Sequence, residues 1–147
     1  MKYEIKEFNN LNIEELYQIL KVRCEVFIVE QQCPYQDIDE KDKKSYHLMV
    51  KNNNEIIGYL RIIEKNVSYD EISIGRVLVK KEYRKNKVAQ NMMKEAILFI
   101  EKELGEETIR ISAQKYLINF YKNLGFKETS EEYLEDDIPH IEMMYSK

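Results

Sequence analysis

Apolar residues recur through the second half of the chain at spacings of three to five: Val88, Met92, Ala96, Phe99 or Ile100, and Leu104. A period near 3.6 predicts an amphipathic helix whose stripe packs on a sheet. The run before it, Ile72 to Val79, reads as a strand, with Ile72, Ile74, Arg76 and Leu78 on one face and Ser73, Gly75, Val77 and Val79 on the other. Near the start, Tyr3 and Ile5 alternate with Lys and Glu, a short first strand ending at Asn9 and Asn10. Asn12 with Glu15 makes a capping box that opens a helix, whose expected stripe is Leu16, Leu20, Cys24 and Phe27. Arg23 stands beside that stripe, and periodicity alone reads it as a snorkelling or surface arginine.

The polar segment VEQQCPYQDIDEKDKKS has no period and reads as a long loop with room for a helical turn. Tyr46 to Lys51 and Glu55 to Glu64 form a hairpin about Asn52 to Asn54, and Asn66 to Asp70 turns into the strand of Ile72. TIRISA is a further strand. QKYLINFYKNLGFKE is a helix closing at Gly125, the residue expected just past a helix end. Phe126 to Thr129 and Ile138 to Tyr145 then flank an acidic turn, EEYLEDD. This order fits an α/β or α+β sandwich in which helices cover a mixed sheet.

The chain has 147 residues, 44% of them hydrophobic and 34% charged, which describes one ordinary domain with a real core. Its first ten residues carry no apolar signal segment and the longest apolar run, Ala96 to Ile100, is far too short for a bilayer, so the cytoplasm is the expected address and no membrane partner is expected. Cys24 and Cys33 form no C-x-x-C pair, so neither zinc nor a disulfide framework is expected, and no metal. The net charge of -4 argues against nucleic acid as the main partner.

Against that acidic balance, Lys80, Lys81, Arg84, Lys85 and Lys87 cluster just before the helix of Val88. Added cations are mildly unfavourable at a helix N-terminus, whose free N–H groups attract anions. An anion such as a pyrophosphate bound from about Lys87 to Ala89 would account for them. A solvated basic loop with Asn86 as an ordinary N-cap accounts for them equally well.

Strand, R-x-x-x-x-A turn and helix resemble the acyl-CoA-binding segment of the GNAT superfamily of N-acetyltransferases. The family pattern is Gln or Arg, two residues, Gly, one residue, then Gly or Ala. Arg84 and Ala89 match it, and Lys87 stands where the family has its central Gly, a residue that lets backbone approach phosphate closely. VRCEVFIVEQQCPYQDID closely resembles the segment that marks the ElaA-like branch of that superfamily, and DDIPHIEM resembles the tail of the same branch. NFYKNLGF resembles a second GNAT hallmark, an aromatic pair followed by three residues and Gly-Phe.

The resemblance implies a mixed, mostly antiparallel central sheet flanked by about four helices, with acetyl-CoA as co-substrate and a small-molecule or peptide amine as acceptor. Leu78 and Val79 would offer backbone groups to the pantetheine arm. Arg84, Lys85, Asn86, Lys87, Val88 and Ala89 would cradle the pyrophosphate, and Gln114 falls where many members carry a cofactor-contacting Asn. Tyr121 would donate to the departing thiolate. Proton transfer from a phenol of pKa ~10 to a thiolate of ~8.5 is uphill by ~2 kcal/mol, so a hydrogen bond suffices. The attacking amine needs a base, for which Glu30 and His140 are candidates and His47 a weaker one. Arg23, Asp37, Asp39 and Arg76 are candidate acceptor contacts, and the acidic loop residues favour a cationic acceptor. Arg76, mid-strand, is either paired to a carboxylate or lining a cleft. Rival readings are a non-catalytic acyl-CoA-binding or regulatory module and, more remotely, a small nucleic-acid-binding domain. Paired edge strands could form a homodimer.

Overall fold

The computed structural model describes residues 1–147. Its elements are β1 (Lys2–Glu7), α1 (Ile13–Arg23), β2 (Ser45–Asn52), β3 (Glu55–Ile63), β4 (Ser73–Val79), α2 (Val88–Lys102), β5 (Thr108–Gln114), α3 (Ile118–Asn123), β6 (Phe126–Glu128), β7 (Tyr133–Glu135) and β8 (Ile138–Ser146). There are three α-helices, not about four. The remaining helical structure is a π-helical turn, Cys24–Glu30, that prolongs α1, together with short 3-10 turns. No helix is long and apolar enough to cross a membrane.

Strands β1 to β4 form an antiparallel half-sheet in sequence order, and β5, β8 and β6 form a second, with β7 also paired to β8. The halves meet where β4 and β5 begin: Ile72 bridges Ile109 in parallel, and Arg110 N–H donates to the Ile72 carbonyl at 2.9 Å. Beyond that point the two strands part, which opens a cleft between them.

Helix α2 covers one face. Val88, Met92, Met93, Ala96, Ile97 and Ile100 are buried there with Leu48, Leu60, Ile74 and Ile111. The opposite face holds a smaller core in which Ile19, Val22, Val26 and Phe27 pack on Met49, Tyr59 and Leu78. The capping box of α1 forms as expected, Glu15 N–H to Asn12 Oδ1 at 2.7 Å and Asn12 N–H to Glu15 Oε1 at 2.9 Å. The buried stripe of α1 is nevertheless Glu15, Ile19, Val22 and Arg23, and Cys24 is exposed. Two charged residues sit inward because each finds partners there: Glu15 meets Lys6 and Lys51, and Arg23 meets Asp37 and Asp42.

Two further expectations are corrected. The acidic turn before β8 contains a strand, β7, closed onto β8 by Asp136 and Asp137 at φ 51° and 62°. Paired positive φ values make a turn whose twist suits a tight hairpin, and Asp tolerates them. Strict alternation along β4 also fails. Tyr59 pairs with Leu78 but Arg61 with Gly75, so an extra residue bulges out at Arg76, whose φ is 51°. The bulge turns Leu78 toward α1 and Val79 toward α2, and it swings Arg76 away from the Ile74 face to meet Asp37.

Candidate active site

The cleft between the half-sheets has a volume of about 1170 Å³ and runs from the start of α2, along β4, to α3 and the β7–β8 hairpin. At its α2 end, Lys87 is the N-cap, with φ 57° and ψ 23° and no side-chain cap. The first helical bond is Asn91 N–H to the Lys87 carbonyl, so the N–H groups of Val88, Ala89 and Gln90 have no carbonyl partner within the helix. All three residues line the cleft, as do Lys85 and Lys87. Lys87, not Asn86, caps the helix, which corrects that expectation, and the side of the turn that faces the cleft carries Lys85 and Lys87. Lys85 is also left-handed at φ 79°. Two positive-φ residues ahead of a helix curl the backbone into a concave, N–H-lined cradle of the kind that binds phosphate oxygens.

Arg84 buttresses this cradle. Its Nε donates to the Val79 carbonyl at 2.8 Å, and its Nη atoms grip Glu30 at 2.6 and 2.9 Å. Those hydrogen bonds hold the Glu30 carboxyl below its ordinary range, against the opposing effect of burial. Glu30 is therefore a clamp between the π-helical turn and the cradle, and a poor proton acceptor, which corrects its reading as a base.

Farther along, Leu78 and Val79 line the cleft from β4, on the edge that β5 has left. Gln114 lines it from the end of β5 and pairs in register with His140 of β8. Tyr121, on α3, is buried between Phe120 and Phe126 with ring centroids 5.1 and 5.8 Å away, and it too borders the cleft. Burial pushes its phenol pKa well up.

His140 is 6% exposed and lines the cleft. Its Nδ1 lies 2.7 Å from the Ile138 carbonyl, an acceptor only, so Nδ1 carries the proton and Nε2 presents its lone pair. Nε2 is 3.6 Å from Glu135 Oε2. His47, by contrast, is wholly buried outside the cleft, held by the Tyr59 hydroxyl at 2.6 Å and the Asp42 carbonyl at 2.8 Å, and burial lowers its pKa.

The acidic loop proves to be internally neutralised. Arg23, 0% exposed, binds Asp37 at 2.9 Å and Asp42 at 2.7 Å. Arg61 binds Asp39 at 2.6 Å and Asp42 at 2.9 Å, and Arg76 binds Asp37 at 2.8 Å and Asp39 at 3.3 Å. Three arginines thus match three aspartates. Although burial opposes ionisation, hydrogen bonds from Arg61 bring Asp39 down to about 2, and those from Arg23 and Arg61 likewise lower Asp42.

Neither Arg23 nor Asp37 lines the cleft, so neither is placed to touch an acceptor there. Arg76 and Asp39 do line it, and both are already bonded to the network. The reading that these aspartates attract a cation is thereby undercut. Arg61, Asp42 and Glu135 were not singled out from the sequence, because their partners lie 5 to 23 residues away along the chain and no local period marks them. The two thiols are free, and no group of three or more His, Cys, Asp or Glu is placed to hold a metal.

Comparison with known proteins bears on this cleft. Residues 11–147 match the family model described as an acetyltransferase (GNAT) domain. Protein ElaA of Escherichia coli is 38% identical over 137 residues, 92% of this chain and 90% of ElaA. The crystal structure of an acyl-CoA N-acyltransferase from Pseudomonas aeruginosa superposes with a TM-score of 0.94 at 34% identity, covering 99% of this chain and all (100%) of the other. That of Escherichia coli ElaA gives 0.92 at 35%, with 99% and 100% covered. With sequence, fold and cleft in agreement, the chain belongs to the GNAT acetyltransferase family, on its ElaA-like branch.

Proposed function

We propose that this acyl-CoA-dependent enzyme moves an acetyl group from acetyl-CoA directly to a primary amine, with no covalent enzyme intermediate. The observation that carries the reading is one continuous cleft holding an anion cradle at one end and Tyr121 and His140 at the other. The backbone N–H groups of Val88, Ala89 and Gln90 would hold the pyrophosphate, with Lys85 supplying charge and Lys87 supplying the backbone shape. The edge of β4 at Leu78 and Val79, where the Val79 carbonyl already accepts from Arg84 Nε, would lie along the pantetheine arm, and Gln114 would border the same path.

His140 serves as base through Nε2, while the Ile138 carbonyl keeps the Nδ1 proton in place. Tyr121 serves as hydrogen-bond donor to the leaving sulfur. Because burial raises its pKa, full proton transfer is more uphill than the ~2 kcal/mol of an ordinary tyrosine, so stabilisation by the hydrogen bond is its contribution.

Tyr121→Phe tests this. Calorimetry should find acetyl-CoA affinity within about threefold of wild type, and amine-dependent CoA release should fall by about 10²-fold or more. An unchanged rate would remove Tyr121 from the reaction. Absence of acetyl-CoA binding by the wild type would remove the reading itself.

A further inference from the structure

The partners of the carboxylates that line the cleft sort them into two groups. Glu30 is gripped by Arg84, and Asp39 by Arg61 and Arg76. Glu135 has no lysine or arginine partner, and the ring facing it is that of His140. Its Oε1 accepts a hydrogen bond from Ser112 Oγ at 3.2 Å, and Ser112 is in turn bonded to the Tyr133 hydroxyl. The Tyr133 ring stacks on His140, centroids 6.1 Å apart. The other oxygen, Oε2, stands 3.6 Å from His140 Nε2, too far for a hydrogen bond. A ring nitrogen of a side chain more than nine-tenths buried and an oxygen of a half-exposed carboxylate thus face each other at the cleft, and no protein group donates a hydrogen bond to either.

Two acceptors side by side ask for one group with several N–H bonds, and an alkylammonium has three. Resting on the acetyl-transfer reading above, we propose that Glu135 recognises the acceptor, and that the acceptor is a cationic primary amine whose ammonium bridges Glu135 Oε2 and His140 Nε2. One ammonium proton passes to Nε2, and the imidazolium so formed lies beside the Glu135 carboxylate. The freed nitrogen lone pair forms the C–N bond to the thioester carbonyl carbon. The C–S bond breaks with its electron pair on sulfur, and a second amine proton ends on that sulfur. Ammonium and acetyl thioester give amide, thiol and one proton. A carboxylate on the acceptor close to its amine would be repelled by Glu135 and by Asp136, which also lines the cleft.

The test measures CoA release by wild type, Glu135→Gln and Glu135→Asp, with a linear alkyl diamine and an α-amino acid as probes, and acetyl-CoA binding by calorimetry. The wild type should prefer the diamine by about tenfold or more in kcat/KM, the scale of one lost hydrogen bond to a charged group. Glu135→Gln should raise the diamine KM about tenfold with a smaller change in kcat, and Glu135→Asp should recover part of the loss. Acetyl-CoA affinity should be equal in all three. A diamine KM unchanged by Glu135→Gln, or a wild-type preference for the amino acid, would overturn the proposal while leaving acetyl transfer intact. A wild type that does not bind acetyl-CoA would overturn both.

Discussion

Lys87 holds a left-handed backbone, φ 57° and ψ 23°, at the N-cap of α2, where an L side chain costs roughly 1–2 kcal/mol that glycine does not. What the phosphate cradle needs at this position is the backbone shape, and a lysine that accepts the shape leaves the neighbouring N–H groups as available as a glycine would. Lys87→Gly should therefore stabilise the protein by about 1 kcal/mol in urea unfolding and change acetyl-CoA affinity less than about threefold. A tenfold loss would assign the Lys87 ammonium a share of phosphate binding. Arg23 illustrates the opposite dependence on surroundings. Its guanidinium is fully buried and donates to Asp37 and Asp42, so Arg23→Met would strand charge in the interior. Breaking a buried pair from one side costs about 3–5 kcal/mol. Urea unfolding of Arg23→Met should show a loss of that size, and a loss under about 1 kcal/mol would mean that the remaining arginines absorb both aspartates.

Among the elements, α2 has to be placed accurately because its N-terminus forms the cradle. It lies close on β3 at Gly58, where a Cβ would come within 2.9 Å of Met92 Sδ and 3.2 Å of Val50 Cγ2. Gly58→Ala should accordingly push α2 off the sheet at a cost of about 1–3 kcal/mol, and it should weaken acetyl-CoA binding as well. Thermal unfolding paired with calorimetry reads both, and a stability loss without an affinity loss would show that α2 tilts about its own start. The helix itself was legible in the sequence because its period is local, as were the β2–β3 hairpin and the capping box of α1. The bulge at Arg76 was not, since a strand keeps its alternating letters whether or not one residue is extruded. Strand β7 was hidden by its acidic composition. Glu15 and Arg23 were missed as interior residues because periodicity scores them polar, whereas their partners arrive from β1, β2 and the loop before β2. Tyr121, His140 and the cradle were candidates only through short motifs shared with the family, whereas the neutralisation of Asp37 and Asp39 depends on arginines distant along the chain.

Over the whole molecule these buried charges make stability depend on pH in one direction. Burial opposes ionisation of Glu15, but hydrogen bonds from Lys51, the Asn12 backbone and Lys6 outweigh it and bring its pKa to about 2, as Arg61 does for Asp39. In the unfolded chain such groups titrate near ~4, so below that pH the unfolded state binds more protons and stability falls as pH drops toward 2. His47 adds an earlier onset. It is buried neutral with a lowered pKa, so its unfolded form takes up a proton first, from about pH 6.5 downward. The melting temperature should be flat between about pH 7 and 9, decline gently below about 6.5 and fall steeply below about 4.5, and a maximum near pH 5 would contradict the assignment.

A ligand acts on the same whole, because β4 and β5 are joined near Ile72 and Ile109 and lie apart around the cleft. Acetyl-CoA spanning the start of α2, the β4 edge and α3 would tie one half-sheet to the other. At a concentration 100 times its dissociation constant it should add ~2.7 kcal/mol, which for a domain of this size raises the melting temperature by roughly 5–10 °C. Hydrogen exchange should slow on both sides of the cleft, in Leu78 and Val79 and in α3 together. Protection confined to the α2 end would mean that the nucleotide binds while the thioester does not reach Tyr121 and His140.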